Sequence, residues 1–289
     1  MAFLNGYGGE RAFRQAEAQR RILERKYHSG LQQMLRHLIG ILKTRKTPET
    51  VISAVEDYGR SKGFQSLVQS MAQRMVTGAL AGQKRTWREA AAESMRGREI
   101  YQALKEETGS PAMARTIAQI LDENAALIST VPQELARRLT KLAWEQRTKG
   151  LRPEETAKIM AKMAPDLTAG QIRRIARTET AKAGALLTEA RCEDLGIRWY
   201  VWRTAQDQRV RDAHRKMDGV YCRWSDAPSP EAIFGGHDSG THYHPGGIYN
   251  CRCVALPVVD ERDLHFPCRV YANGSVRSVK NLAEFRRIT

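Results

Sequence analysis

The sequence predicts an α+β protein: a mainly helical N-terminal half followed by a small α+β domain with a C-terminal hairpin. Three observations carry this. Apolar residues recur three or four positions apart from Glu10 to about residue 190, the period of one buried helix face. At Ile197 the period changes to alternation rich in Trp, Tyr and Val, which suits a half-buried strand. Asn273-Gly274 then stands between two short strand-like runs, the strongest short hairpin signal. At 289 residues the chain is long for one core, so more than one domain is expected. The divisions read from the pattern are a basic all-helical domain over 1–165, an α+β domain over 166–260, and a hairpin with a short helix over 261–289.

In chain order, Phe13, Ala16, Leu23, Tyr27, Leu31, Met34, Leu38 and Leu42 mark a long amphipathic helix. Lys43 to Pro48 ends it, since the residue before a proline avoids the helical region. Thr47 caps a second helix with Pro48 in its first turn. A third stripe runs from Phe64 to Leu80 and a fourth from Trp87 to Leu104. Ser110-Pro111 opens another helix, and Val131-Pro132, Gly150 and Pro153 punctuate two more. Thr168, with Gln171 three residues on, reads as a capping box opening a helix that Gly196 stops. Ile197 to Arg203 is the first strand. Asp207 caps a short helix with Val210, His214 and Met217, and Gly219 closes it. A long loop from Pro228 to Gly247 precedes a second strand over Cys253 to Val259. Cys268 to Tyr271 and Ser275 to Val279 form the hairpin, and Asn281 caps a last helix to Ile288.

The formal charge is +15, and it is uneven: +11 through residue 165 and +4 beyond. A basic helical half suits an acidic polymer or an acidic protein surface, against the plainer reading of a scattered solvated surface. No run of about 18 apolar residues suggests a membrane span, and the first residues lack the basic and apolar regions of a signal peptide. A protein made and used in a cytosol is the expectation. Five cysteines, odd in number and late in the chain, argue for thiols or metal ligands over a disulfide framework.

Chemistry concentrates between His214 and Cys253, which holds seven of the twelve His and Cys residues. His214, His244, Cys251 and Cys253 are the candidate ligands of one tetrahedral zinc, an ion suited to mixed thiolate and imidazole donors. Alternate residues of a strand share a face, which lets Cys251 and Cys253 converge. Cys222, His237 and His242 are rival ligands, and the alternative is solvated loop histidines with small buried cysteines. Arg177 and Glu179, two apart on one helix, point away from each other. They read either as buried ion-pairing groups fastening this helix to the first strand and the His214 helix, or as surface charge. No His-Glu-x-x-His, phosphate loop or Gly-x-Ser-x-Gly is present, which removes the common catalytic mechanisms.

Arg177-Thr178-Glu179, Trp202, the run Asp207 to His214, His244-Pro245 and Asn250-Cys251-Arg252-Cys253 occur in that order. Together, over about residues 165 to 257, they resemble the head-morphogenesis domain of the phage Mu F-like minor head proteins. Carried over position by position, the signature comprises Arg177, Glu179, Trp202, Asp207, Arg211, His214, Gly219, His244, Pro245, Cys251, Arg252 and Cys253. This chain departs by a Gly-Gly-containing insert between His244-Pro245 and Cys251. The resemblance implies a minor head component of a tailed double-stranded DNA phage, present in few copies near the portal, with portal and other head proteins as partners and no catalysis; the basic charge of the helical half suits non-specific contact with packaged DNA or with an acidic portal surface. It implies location in the virion, with the host cytoplasm as the place of assembly. Two other readings compete: a metal-dependent nuclease or toxin-like enzyme using the His/Cys cluster, and a basic helical DNA-binding protein unrelated to virions.

Overall fold

A computed structural model describes residues 6–236 and 240–288. The helices are α1 (Gly6–Leu42), α2 (Pro48–Arg60), α3 (Lys62–Glu93), α4 (Gly97–Glu106), α5 (Pro111–Thr148), α6 (Pro153–Asp194), α7 (Asp212–Met217), α8 (Pro230–Phe234) and α9 (Leu282–Ile288). The strands are β1 (Trp199–Arg203), β2 (Val220–Arg223), β3 (Val254–Val258), β4 (Cys268–Ala272) and β5 (Ser275–Val279). The α+β class therefore holds, with helices first and a small sheet after them.

The punctuation at α2 is as expected. The Thr47 side chain accepts from the Thr50 backbone while Thr50 answers to the Thr47 backbone, with Pro48 in the first turn. Elsewhere, proline misleads. Pro132 lies inside α5 and Pro165 inside α6, so neither residue ends a helix. Each removes one backbone donor, and Pro132 is nevertheless buried. A Cβ on Gly59 would stand 3.1 Å from the Pro132 Cβ. Thr168 is accordingly no cap: its hydroxyl donates back to Ala164 O at 2.9 Å, in mid-helix. The stripe expected from Trp87 to Leu104 is divided between α3 and α4. At the break, Gly97 packs so closely that a Cβ there would be 2.2 Å from Ala91 O.

The chain divides into two compact units, one of 1–22, 78–118 and 180–289, the other of 23–77 and 119–179. The divisions fall inside α1, α3, α5 and α6, whereas residue 165 lies within an unbroken α6. The second unit is wholly helical, with Leu31, Leu42, Val51, Val55, Val76, Ile128, Leu135 and Met160 completely buried. Inside it, Tyr27 Oη donates to Asn124 Oδ1 (2.8 Å), and Asn124 donates to Glu179 Oε2 (3.4 Å).

The first unit carries the sheet, ordered β3-β1-β2-β4-β5. Only the β2/β4 pairing is parallel. Alternation sends Val201, Tyr221, Leu256 and Val270 to one face, with Phe13 and Phe285. Tyr200, Trp202, Cys222, Ala255 and Tyr271 go to the other, with Met217, Tyr243, Cys251 and Cys253. Strand β2, absent from the sequence reading, follows Gly219 at φ 78°. The hairpin is as expected, with positive φ at both Asn273 (50°) and Gly274 (77°). Asn281 Oδ1 accepts from Glu284 N at 3.0 Å, opening α9 as a cap does. No helix among the described residues is long and apolar enough to cross a membrane.

Candidate metal centre

Helix α7 and the approach to β3 bring His214, Cys251 and Cys253 together. One donor atom from each lies within 4.8 Å of the others, and all three residues are buried. His214 Nδ1 is 3.6 Å from Cys251 Sγ and 3.5 Å from Cys253 Sγ. The opposite ring nitrogen, Nε2, faces Tyr243 Oη at 2.9 Å and Glu231 Oε1 at 3.3 Å. Tyr243 in turn donates to the second oxygen of Glu231. The imidazole thus stands between two thiols and one carboxylate. The Trp202 ring packs edge-on against it, centroids 5.5 Å apart at 85°.

The sulfurs are held from behind. Cys253 N–H donates to Cys251 Sγ at 3.4 Å. Arg252, between the two cysteines, pairs its guanidinium with both oxygens of Asp207. That contact, more than a backbone bond from Arg209, depresses the Asp207 carboxyl to about 2. Asp207 is therefore not the helix cap expected of it. Helix α7 begins only at Asp212, and Asp207 instead closes a turn onto Arg209 N (2.9 Å) and anchors the Cys-Arg-Cys segment. Arg211 donates to Tyr249 O at 2.8 Å, which fixes the loop entering that segment.

The remaining candidates lie elsewhere. His244 Nδ1 meets Tyr200 Oη at 3.0 Å, and its Nε2 is 3.7 Å from Glu189, too far for a hydrogen bond. Gly246 lets this loop approach α6: at φ 89°, a Cβ there would stand 3.1 Å from Ala181 O. Cys222 is buried beside Tyr200, and burial pushes its thiol well above the ordinary range. His242 is exposed, with Nδ1 2.8 Å from Ala227 O. His237 lies outside the described residues. Arg177 donates to Glu24 at 3.4 Å, and buried Glu179 accepts from Asn124, so the two point to different helices. Glu231 and Tyr243, the groups behind His214, had no spacing signal in the sequence; only the folded loop brings them there. All five cysteines are free and buried.

His244 supplies a pH prediction. Burial lowers its imidazole from 6.5 to about 4, so the folded protein keeps it neutral. Below pH 6.5 the unfolded chain takes up a proton that the folded chain refuses, and stability falls progressively toward pH 4, by up to about 3 kcal/mol. His244→Leu is expected to show a shallower loss across that window in urea titrations at stepped pH. Equal slopes for the two proteins would contradict this.

The fold and site define a small α+β domain, built on long helices and carrying a buried imidazole–dithiol centre. Residues 134–256 match the family described as Phage Mu protein F like protein. The match starts within α5, earlier than the sequence motifs, and ends in β3. An uncharacterized protein of Haemophilus influenzae is 28% identical over 177 residues, covering 57% of this chain and 36% of the relative. An uncharacterized protein of Methanocaldococcus jannaschii is 32% identical over 112 residues, covering 39% of this chain and 16% of the relative. The chain thus aligns with well under half the length of either relative. No solved structure matches it.

Proposed function

We propose that this protein is a minor head component of a tailed double-stranded DNA phage and acts in head morphogenesis at or near the portal. The observation that carries this reading is the Mu F-like match over residues 134–256. The domain serves assembly, not turnover. The His214, Cys251 and Cys253 side chains are only 2–4% exposed, which leaves a macromolecular substrate no access to them. The net charge of +15 supports contact with acidic partners, packaged DNA among them.

The test uses the phage or prophage that encodes the chain. Disrupting the gene is expected to cut the yield of infectious, DNA-filled heads, and purified wild-type heads should contain the protein at few copies per particle. Normal particle yield with the protein absent from heads would overturn the reading. DNA contact is tested with the full chain, because a fragment ending at residue 165 would cut α6. Unrelated duplexes should be retarded equally, with affinity falling steeply as salt rises. Sequence preference, or retardation indifferent to salt, would remove the DNA contact.

A further inference from the structure

We propose that His214 Nδ1, Cys251 Sγ and Cys253 Sγ bind one zinc ion, and that this ion is structural, joining α7 to the start of β3. The first support is the spacing of the donors. Zinc binds thiolate at about 2.3 Å and imidazole at about 2.0–2.1 Å, and a tetrahedral angle between them sets nitrogen and sulfur about 3.5 Å apart. Nδ1 lies 3.6 and 3.5 Å from the two sulfurs. A hydrogen-bonded arrangement explains these distances less well. One Nδ1 offers a single lone pair or a single proton, whereas two thiols converge on it. A metal satisfies both.

The second support is the tautomer. Nε2 points at Tyr243 Oη and Glu231 Oε1. Because Tyr243 already donates to Glu231, the proton of the ring belongs on Nε2, which leaves the Nδ1 lone pair directed at the sulfurs. A carboxylate behind a ligating imidazole is the usual means of orienting it and raising its basicity. Glu231 is in that position.

The third support is the treatment of the sulfurs. Cys251 Sγ receives a backbone N–H from Cys253. The indole nitrogen of Trp202, whose ring packs on His214, is buried and directed at the Cys253 sulfur, short of a full hydrogen bond. A neutral thiol is a poor acceptor, whereas a metal-bound thiolate is a good one. Charge agrees as well: two thiolates and a neutral imidazole balance a divalent ion, and the Glu231 carboxylate behind the ring faces the Arg211 guanidinium at 4.0 Å. Among the described residues three side chains meet at this point, which leaves a fourth coordination position; the burial of all three, at 2–4% exposure, is what separates this centre from an open catalytic zinc. His244 contributes nothing, since its ring is turned to Tyr200.

The proposal stands independently of the role in head assembly. Full-length protein purified without chelator should contain close to one zinc per chain. Replacing zinc with cobalt(II) should give thiolate-to-cobalt charge-transfer absorption together with tetrahedral d–d bands. Single Cys251→Ser and Cys253→Ser substitutions should weaken that charge transfer, each by about half, or abolish binding. Because either substitution can prevent folding, two further variants are decisive. Glu231→Gln should weaken metal affinity about 10–100-fold, while His244→Gln should retain wild-type affinity. Three results would overturn the proposal: folded wild type that takes up neither zinc nor cobalt, a cobalt spectrum without thiolate charge transfer, or loss of the ion in His244→Gln. A disulfide between Cys251 and Cys253 in freshly purified, folded, metal-free protein would overturn it too.

Discussion

Glu107→Leu is expected to destabilise the protein by about 3–5 kcal/mol, the cost of stranding a buried charge. Glu107 lies in the turn after α4, and its carboxylate receives the guanidinium of Arg191 from α6. Both side chains are buried, at 8% and 4% exposure. The guanidinium also donates to Gln83 Oε1 and stands 6.0 Å from the centre of the Trp87 ring, while Gln83 ties back to Gly184 O at 2.6 Å. Burial already works against the charged form of Arg191 and lowers its pKa; the Glu107 carboxylate opposes that shift. Lys84, 3.7 Å from the other carboxylate oxygen, is a lesser partner because it is part exposed. The sign follows. With Glu107 gone, the arginine has no charge partner inside the core, whereas Glu107→Leu combined with Arg191→Met removes both charges and should recover most of the loss. Urea midpoints for the three variants measure this. A single substitution costing less than about 1 kcal/mol, the range of an exposed pair, would show that water reaches the site.

Trp202→Ala carries a comparable expected cost, about 3–5 kcal/mol, for a different reason. Trp202 is completely buried in β1, and its ring fills the space between the sheet and the imidazole of His214. Truncation leaves a cavity lined by Met217, Tyr243 and the two cysteines that cannot all collapse inward. The loss should appear in the thermal midpoint whether or not a chelator is present, which separates it from any effect of an ion. A cost below about 1 kcal/mol would mean that the site closes over the missing ring.

Much of the architecture was legible in local pattern. The stripe of α1, the Thr47-Pro48 start of α2, the change of period before β1 and the Asn273-Gly274 turn each depend on residues a few positions apart. What escaped was decided by distant contacts. Pro132 and Pro165 look like stops, yet the packing of α5 and α6 outweighs one lost hydrogen bond at each. Asp207 looks like a cap until Arg252, forty-five residues on, takes both its oxygens. Strand β2 has four residues, too few for alternation to stand out. For the site, the cluster of His and Cys marked the right window, and three of its members meet. Sequence distance had no means of separating His244 from them, because its orientation is set by Tyr200 on β1. Nor did spacing single out Glu231 and Tyr243, which matter only through the face of His214 they touch.

The division of the chain within four helices has a genetic consequence. Each compact unit is assembled from separated stretches, with junctions at 22/23, 77/78, 118/119 and 179/180. A single crossover within the gene therefore cannot exchange one unit whole for a homologue's version; it would mix sequence from both parents inside at least one core. A gene fusion that grafts only 166–260 onto another protein would leave behind 78–118, and with it the Gln83, Trp87 and Glu107 partners of Arg191. Such a gene is expected to be inherited as an indivisible length, and to accept new sequence at its surface loops more readily than at any midpoint.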